Sequence, residues 1–261
     1  MLLVNHTPLM KVILFLSFIC LLVSCRHSSS SSTRSIHATR IAPTIGAREQ
    51  KKQKRITKLA VTSADKNCII IDPGHGGKDG GARSIIKPHI QEKVLTLKTA
   101  IKVREFLVNW GHNVYLTRKS DVFIPLQGRV AFAQRQECQL FVSIHYNSTP
   151  KPTKAKGVEI YYFKGQKGSD QKALTILERE TQSQKLASYI LKRITSVTQT
   201  PNRGVRAGNF CVIRETTMPA VLVECGFLSN AEEARKLRNP GYIRFLAWSI
   251  AKGIDDFVRK K

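Results

Sequence analysis

Two kinds of hydrophobic pattern alternate along the chain from about residue 67 to its C-terminus. Short apolar runs rich in β-branched residues, such as residues 67–72 (NCIIID) and 220–224 (AVLVE), predict strands that are buried on both faces. Between these runs, apolar residues recur at helical spacing, as in the segment that begins at Glu92 and stops at Gly111. We therefore expect one α/β domain, residues 67–261, with a central mostly parallel or mixed sheet of about six strands and helices on both faces.

The same pattern gives the order of the elements. Further helices are predicted over residues 125–136, around the apolar positions of 186–197, and from about residues 231 and 242. Several strands should end at one edge of the sheet, where an open α/β fold places its ligands. The predicted strands are residues 67–72, 113–117, 140–144, 157–163, 209–214 and 220–224.

The first 24 residues resemble a secretory signal. Lys11 precedes the apolar run of residues 12–23 (VILFLSFICLLV), which is short for a bilayer span. Residues 22–25 (LVSC) resemble a lipoprotein box, and this resemblance implies a lipidated Cys25 at the mature N-terminus. Ordinary cleavage nearby and an uncleaved anchor are the alternatives. We expect an exported, periplasmic protein that is anchored by lipid to a bacterial envelope membrane.

Residues 25–66 show little apolar periodicity. A serine run at residues 28–32 leads to the basic stretch 48–55 (REQKKQKR). A segment of this composition cannot bury enough apolar surface to offset its chain entropy, which predicts a flexible basic linker. The linker either lies near anionic lipid or wall polymer, or only keeps the protein soluble.

The charge of the chain is strongly positive. Its 43 Lys and Arg against 18 Asp and Glu give a formal net charge of +25, which favours a polyanionic partner. Nucleic acid is the usual partner of such a chain, but the predicted export weakens that interpretation. We expect anionic envelope polymers or a lipid surface instead, and no nucleic acid.

Two of the six cysteines fall in the signal and the lipoprotein box. The other four, Cys68, Cys138, Cys211 and Cys225, form no CxxC pair. Buried free thiols are the default for such positions. Cys211 and Cys225 lie on predicted strands that are candidates for neighbours, so a disulfide between them in an oxidising envelope is the alternative.

Four residues lie at predicted strand ends or just beyond them. His75 follows the first strand between glycines that allow a sharp turn, Glu92 opens a helix, and His145 and Glu224 end apolar strands. Taken singly they have plainer explanations, since a carboxylate in a first helical turn often only offsets the helix dipole. Together, two imidazoles and two carboxylates suggest a mononuclear zinc hydrolase, in which three residues bind the metal and the fourth moves protons.

Several separated blocks then carry a family resemblance. They resemble, in the family's order, the zinc-dependent N-acetylmuramoyl-L-alanine amidases of cell-wall remodelling. Because the blocks extend from about residue 67 to the C-terminus, the resemblance is much more specific than any single motif. The blocks are residues 68–82 (CIIIDPGHGGKDGGA), 92–93 (EK), 141–147 (FVSIHYN), 157–162 (GVEIYY), 202–205 (NRGV) and 218–230 (MPAVLVECGFLSN).

The resemblance implies a reaction and roles for particular residues. His75, Glu92 and His145 match the family's ligands to one zinc ion, and Glu224 matches its catalytic glutamate. The enzyme would hydrolyse the amide bond between the lactyl group of N-acetylmuramic acid and L-alanine of the stem peptide, using zinc-activated water and Glu224 as general base. Its biological role would be cell-wall remodelling or cell separation. Arg203, Arg206 and Asn147 are candidates for substrate binding, and a solvated surface is the alternative for the arginines.

The chain departs from the family pattern at two positions and in one segment. Gly80 stands where proline is usual, and Tyr146 stands where a small residue is common, which places loop conformation in question. Residues 164–184 occupy the place of a helix that blocks the active site in some members until an activator protein removes it. The segment looks shorter here, which favours an open or weakly gated site.

Other functions remain as alternatives. A non-catalytic, peptidoglycan-binding envelope lipoprotein would keep the fold as a scaffold, although it would have no need of all four site residues. An additional serine-type carboxypeptidase activity would use a Ser-x-x-Lys pair, and such pairs occur at Ser63, Ser148 and Ser249. An unrelated zinc peptidase is disfavoured because the chain contains no HExxH motif.

Overall fold

The structure is a computed structural model, and it describes residues 67–151, 154–165 and 171–260. The predicted signal, Cys25 and the predicted linker lie outside the described residues. So do residues 166–170 of the segment that we considered as a gate.

Strands and helices alternate as the sequence pattern predicts. The strands are β1 (Ile69–Pro73), β2 (Val114–Leu116), β3 (Leu140–Asn147), β4 (Val158–Tyr162), β5 (Asn202–Ala207) and β6 (Ala220–Phe227). The helices are α1 (Glu92–Asn109), α2 (Leu126–Gln136), α3 (Gln171–Thr198), α4 (Cys211–Arg214), α5 (Ala231–Lys236) and α6 (Pro240–Arg259).

The six strands form one mixed sheet in the order β2-β1-β3-β6-β4-β5. All neighbouring pairs are parallel except β4 and β6, which run antiparallel. The predicted fold class is therefore confirmed. Because β3 lies between β1 and β6, the loop after β1 and the last residues of β3 and β6 meet at one edge of the sheet.

Both faces of the sheet are covered by helices. Alternate residues of β1 point to opposite faces, so Ile69 and Ile71 join one apolar cluster and Ile70 joins the other. The first cluster packs against α1, α3 and α6, and the second against α2 and α4. This double burial explains why the β1 sequence reads as a continuous apolar run.

One predicted strand is wrong. Residues 209–214 contain the one-turn helix α4 instead, because Val212 and Ile213 bury their side chains against the sheet from that turn. A short apolar run does not distinguish a strand from a buried helical turn. The strand in this region is β5, which precedes the predicted position and is polar because it lies at the edge of the sheet.

The cysteine prediction also needs correction. A disulfide joins Cys68 to Cys138, with the two Cα atoms 4.7 Å apart. These residues precede the parallel neighbours β1 and β3, so their side chains start at the same edge of the sheet. The alternative pairing of Cys211 with Cys225 is wrong, because Cys225 packs in the cluster beneath α1, α3 and α6 whereas α4, which begins at Cys211, lies on the opposite face.

Two strands extend further than their sequences indicate. β3 continues to Asn147 and β6 to Phe227, so His145 and Glu224 are paired residues inside the ladder. The ladder shifts register between His145 and Asn147. Among the described residues, no helix has both the length and the apolar character that crossing a membrane requires.

Candidate metal centre

His75 lies in a tight loop directly after β1. Its φ is +60°, and the following glycines have φ of +128° (Gly76) and +56° (Gly77), so three successive residues occupy the left-handed region. A non-glycine residue in this region is uncommon and is often found at functional sites. Gly74 is needed for a second reason, since a Cβ there would lie 2.2 Å from the His145 ring. The loop thus brings the two imidazoles to a centroid distance of 4.9 Å.

The carboxylate of Glu92 bridges the two imidazoles. Its Oε2 lies 3.1 Å from Nε2 of His75, and its Oε1 lies 3.0 Å from Nδ1 of His145. Two backbone amides fix the carboxylate, because Tyr146 N donates to Oε1 and Ala82 N donates to Oε2. Burial favours the neutral acid, but the imidazoles hold the pKa of Glu92 well below its usual range.

Asp79 orients the His75 ring from its other side. Its Oδ2 lies 2.9 Å from Nδ1 of His75, while its Oδ1 accepts a hydrogen bond from Gly81 N. Burial of His75 opposes protonation, yet the hydrogen bonds and charges of Glu92 and Asp79 raise the pKa of the imidazole. The contact with Asp79 leaves Nε2 directed toward Glu92.

Two buried arginines support the loop that carries His75. Arg129 donates to Asp72 Oδ1 and to the carbonyl oxygens of Pro73 and His75. Arg118 donates to the carbonyl oxygens of Pro73 and Gly74. Asp72 is fully buried and offsets the Arg129 charge, and despite the burial the pKa of its carboxyl is lowered. These donors satisfy carbonyl groups that a tight loop leaves without strand partners.

Glu224 lies on β6 directly across from His145. Its environment differs from that of Glu92, because its Oε2 is buried and accepts no hydrogen bond from any described residue. Burial raises the pKa of Glu224 to about 7, and the nearby carboxylates of Glu92 and Glu159 act in the same direction. A carboxyl group with this pKa is suited to take up and release a proton near neutral pH.

The three candidate substrate-binding residues converge on one buried carboxylate, Glu159 of β4. Asn147 Nδ2 donates to Glu159 at 2.7 Å, Arg203 Nε donates at 3.0 Å, and Arg206 Nε lies 3.5 Å away. Glu159 is paired with Glu224 across the antiparallel β4–β6 ladder. The candidate substrate residues and the candidate base are therefore placed by adjacent strands.

An apolar cavity of about 170 Å³ adjoins the two imidazoles. His75 and His145 line one part of it. Phe123, Leu126 and Phe210 also line the cavity and remain partly exposed to solvent. The cavity provides apolar surface beside the metal centre.

Comparison with known proteins identifies the family. A sequence model described as N-acetylmuramoyl-L-alanine amidase matches residues 69–256. This span contains all of the site residues described above. The chain belongs to the N-acetylmuramoyl-L-alanine amidase family. The resemblance inferred from the sequence blocks is confirmed, and the protein is an amidase.

Individual relatives agree with this assignment. The amidase is 32% identical over 226 residues to the N-acetylmuramoyl-L-alanine amidase AmiA of Escherichia coli (strain K12), over 75% of this chain and 77% of that protein. It resembles the crystal structure of N-acetylmuramoyl-L-alanine amidase from Clostridium difficile 630, with a TM-score of 0.66, 32% identity and coverage of 76% and 99%. It also resembles the CwlD amidase from Clostridioides difficile in complex with the GerS lipoprotein, with a TM-score of 0.66, 29% identity and coverage of 75% and 100%.

The donor set of the amidase fits a zinc ion. One atom each from His75, Glu92 and His145 can be chosen so that all three lie within 4.8 Å of one another. Two imidazole nitrogens and one carboxylate oxygen are a recurrent ligand set of catalytic zinc sites, in which a fourth position is kept for water or substrate. The hydrogen bond that Nδ1 of His75 donates to Asp79 is the usual support for such a ligand.

The Ser-x-x-Lys alternative finds no support at the pairs that begin at Ser148 and Ser249. The Ser148 hydroxyl donates to the carbonyl of Thr149. The Ser249 hydroxyl donates to the carbonyl of Phe245, while Lys252 pairs with Asp255. Neither of these two serines is hydrogen-bonded to the lysine of its pair, and the pair that begins at Ser63 lies outside the described residues.

Sequence reasoning overlooked the supporting residues of the amidase site. Arg129 offers a usable signal, because it precedes Ala133 by four residues and so falls on the side of α2 that faces the sheet. A cation at such a position requires a buried acidic partner, which is Asp72. Asp79 and Glu159 lie within the blocks that carry the family resemblance, but the pattern alone does not show what they contact.

Proposed function

We propose that this amidase holds one zinc ion with His75, Glu92 and His145 and uses Glu224 as its general base. The reaction is hydrolysis of the amide bond between the lactyl group of N-acetylmuramic acid and L-alanine of peptidoglycan stem peptides. The observation that carries the proposal is the contrast between two glutamates beside His145. Glu92 is ionised and contacts both imidazoles, whereas Glu224 is half-buried, its Oε2 is buried without a hydrogen-bond partner among the described residues, and its pKa is about 7.

The residues of the site have separate roles in the proposed reaction. When bound, zinc polarises a carbonyl and makes water more acidic. Glu224 takes the proton from the attacking water and delivers it to the nitrogen of the departing L-alanine. The Gly74 and Gly81 backbones keep this centre compact, since a Cβ on Gly81 would lie 2.6 Å from Oε2 of Glu92. Asp79 holds the His75 ring so that Nε2 is presented to the metal.

We assign substrate recognition to Asn147, Arg203 and Arg206. Glu159 binds all three, and the side chain of Arg206 is half exposed. The guanidinium groups of Arg203 and Arg206, which both contact Glu159, suit a carboxylate of the stem peptide, because arginine presents several donors in a fixed plane. The apolar cavity beside Phe123 and Phe210 offers a surface for the sugar or the lactyl methyl group.

We further propose that the amidase is exported and anchored by lipid at Cys25, with residues 25–66 as a basic linker between the anchor and the catalytic domain. The Cys68–Cys138 disulfide supports export, because structural disulfides persist in oxidising compartments. From this location the enzyme remodels the cell wall or helps daughter cells to separate. A protein partner that activates it is part of the proposal, since a similar amidase has been solved in complex with a lipoprotein. The described part of residues 164–184 belongs largely to α3, and an open or weakly gated site stays a prediction.

Mass spectrometry of digested wall sacculi tests the reaction. The purified protein is compared with and without zinc, beside Glu224→Gln and the exposed control Glu178→Gln. We expect the zinc-loaded parent and the Glu178 variant to release stem peptides that begin with L-alanine and to leave intact glycan strands. Cut glycan, or peptides cleaved at an internal bond, would contradict the proposed reaction. Sacculi that are bound but uncut would instead favour the non-catalytic scaffold.

A further inference from the structure

We propose that a patch of aromatic and basic residues on α1 and α6 docks the catalytic domain onto the anionic phospholipid surface of the membrane that carries its anchor. We call this the distal patch. The inference rests on the proposed export and anchor, and it does not depend on the metal chemistry. The distal patch consists of Phe106, Trp110, Arg244, Phe245, Trp248 and Lys252.

The rings of the distal patch form a connected row. The Phe106 and Trp110 ring centroids lie 6.0 Å apart, and those of Trp110 and Trp248 lie 6.4 Å apart with perpendicular planes. The surface cavities beside the row are lined mainly by apolar atoms, and Val197, Asp255 and Arg259 line them together with the residues of the distal patch. A row of this kind presents a continuous apolar surface to whatever contacts it.

The sequence of α6 explains why these residues face outward. Its inner side is formed by residues such as Leu246, Ile250 and Ile254, which are fully buried against the sheet. Phe245 and the half-buried Trp248 fall on the other side, and Phe245 is 62% exposed, the largest value among the large apolar side chains that the structure describes. The helix therefore carries a second apolar surface that the described part of the domain does not cover.

Cations flank the aromatic row. The guanidinium of Arg244 lies 5.7 Å from the Phe106 ring centroid, and Lys252 Nζ lies 5.8 Å from the Trp110 ring centroid. Two carboxylates pair with Lys252: Asp255, which is also paired with Arg259 and His112, and Asp256, which is also paired with Arg193, whereas no ion pair is recorded for Arg244 among the described residues. Tryptophan and phenylalanine beside Arg and Lys are the composition of surfaces that insert shallowly at the boundary between headgroups and acyl chains. Basic residues at that depth are attracted to anionic lipid.

The position of the distal patch favours the membrane over the wall as its partner. α1 begins at the metal centre with Glu92 and ends near Trp110, so the two ends of this helix are about 26 Å apart at 1.5 Å per residue. The domain's first strand begins at the distal end, where Ile69 N donates to Asn113 O. The segment that precedes Ile69 leads toward Cys25. Docking through the distal patch would therefore place the anchor side against the bilayer and direct the metal centre toward the wall.

The two tryptophans of the chain allow a direct test, because Trp110 and Trp248 are its only ones and both lie in the distal patch. The full chain is reconstituted into vesicles of phosphatidylcholine alone or mixed with phosphatidylglycerol, with bromine on the acyl chains close to the headgroups. We expect at least about twofold stronger quenching of tryptophan fluorescence in the anionic vesicles, with the difference reduced at high salt. The anchor is the same in both vesicles, so it does not create the difference.

Matched variants distinguish membrane binding by the distal patch from nonspecific adsorption of exposed apolar side chains. Phe245→Ser should lose most of the extra quenching, whereas Leu177→Ser, which changes a 53% exposed residue on α3, should keep it. Both side chains are exposed, so we expect both variants to fold and to retain activity on soluble wall fragments. Measuring that activity also distinguishes the docking proposal from the proposed reaction. Docking can be lost while amide cleavage persists, and amide cleavage can be lost while docking persists.

Three outcomes would overturn the docking proposal. The first is equal quenching in neutral and anionic vesicles, and the second is unchanged quenching in Phe245→Ser. The third is a shift of tryptophan emission with soluble polyglycerol phosphate but not with vesicles, which would assign the distal patch to a wall polymer.

Discussion

Two glutamates border His145, and the regions around them are built in opposite ways. Glu92 receives two backbone amides and contacts two imidazoles, so its charge is stabilised from several directions. Glu224 is half-buried near further carboxylates, and its buried Oε2 has no hydrogen-bond partner among the described residues. The carboxyl group of Glu92 is thus held as an anion, whereas the carboxyl group of Glu224 can take up a proton near neutral pH. Environment, and not residue type, distinguishes the proposed metal ligand from the proposed general base.

Removing the charge of Glu92 should have the largest effect. Glu92→Gln takes away the anionic ligand and leaves two imidazoles, so we expect zinc affinity to fall by more than about 100-fold, beyond the loss typical of outer-shell changes. Activity should fall to background. Zinc content after dialysis and competition with a chromogenic chelator measure the affinity. Glu105→Gln, an exposed change on the same helix, is the control, and equal zinc retention in both variants would remove Glu92 from the ligand set.

Neutralising Glu224 should separate turnover from metal binding. Glu224→Gln keeps the shape of the side chain but removes its basic oxygen, so we expect turnover to drop by roughly 10²–10⁴-fold with zinc content unchanged. Initial rates on a soluble muropeptide, together with zinc content, measure the two effects. A joint loss of zinc and activity would instead place Glu224 among the ligands.

The metal centre could be predicted from the sequence because its residues follow strong local signals. His75 stands between glycines after a buried strand, and His145 lies near the end of another. β3 continues to Asn147, three residues beyond its predicted end, so His145 lies within the strand but still close to its end. The parallel neighbours β1, β3 and β6 then bring the separated blocks to the same edge.

The parts that could not be predicted depend on long-range neighbours. β5 lies at the sheet edge and shows no apolar alternation, so its sequence (NRGVRA) gives no strand signal. Cys68 and Cys138 are separated by 70 positions, and only the adjacency of β1 and β3 brings them together. Tyr146 departs from the family pattern, yet it is accommodated because its hydroxyl meets Thr99 in the core. In each case the deciding contact comes from another element.

The contrast between the two glutamates also predicts an effect on stability in the metal-free protein. The pKa of Glu224 is about 7 when folded against a usual value of 4.5, so the folded state binds more protons than the unfolded state between these values. Stability contributed by the neutral form is present below about pH 4.5 and is lost as pH rises toward 7. At roughly 1.4 kcal/mol per pKa unit, the difference of about 2.5 units limits the loss to about 3.5 kcal/mol.

Urea unfolding in the presence of a chelator, at pH 5 and pH 8, measures this effect. Because Gln does not titrate, we expect Glu224→Gln to be about as stable as the parent at pH 5 and more stable than it at pH 8. The difference between the two proteins isolates Glu224 from other titrating groups. If the free energies of unfolding of the two proteins change with pH in the same way, the folded structure does not raise the pKa of Glu224.

The smallest expected effect concerns the support of the ligand region. Asp79 contacts Nδ1 of His75 but is itself 44% exposed, so water can partly replace its carboxylate. Asp79→Asn should therefore weaken zinc binding by about 10-fold, the lower end of the range for groups that orient a ligand, with turnover of the zinc-saturated enzyme little changed. Asp121→Asn is the matched control, because Asp121 accepts a hydrogen bond from Gly77 in the same loop and is salt-bridged to Lys93. If both variants bind zinc equally weakly, zinc affinity depends on anchoring of the loop and not on the contact between Asp79 and His75. If only Asp79→Asn binds zinc more weakly than the parent, the Asp79 carboxylate supports zinc binding by orienting the His75 imidazole.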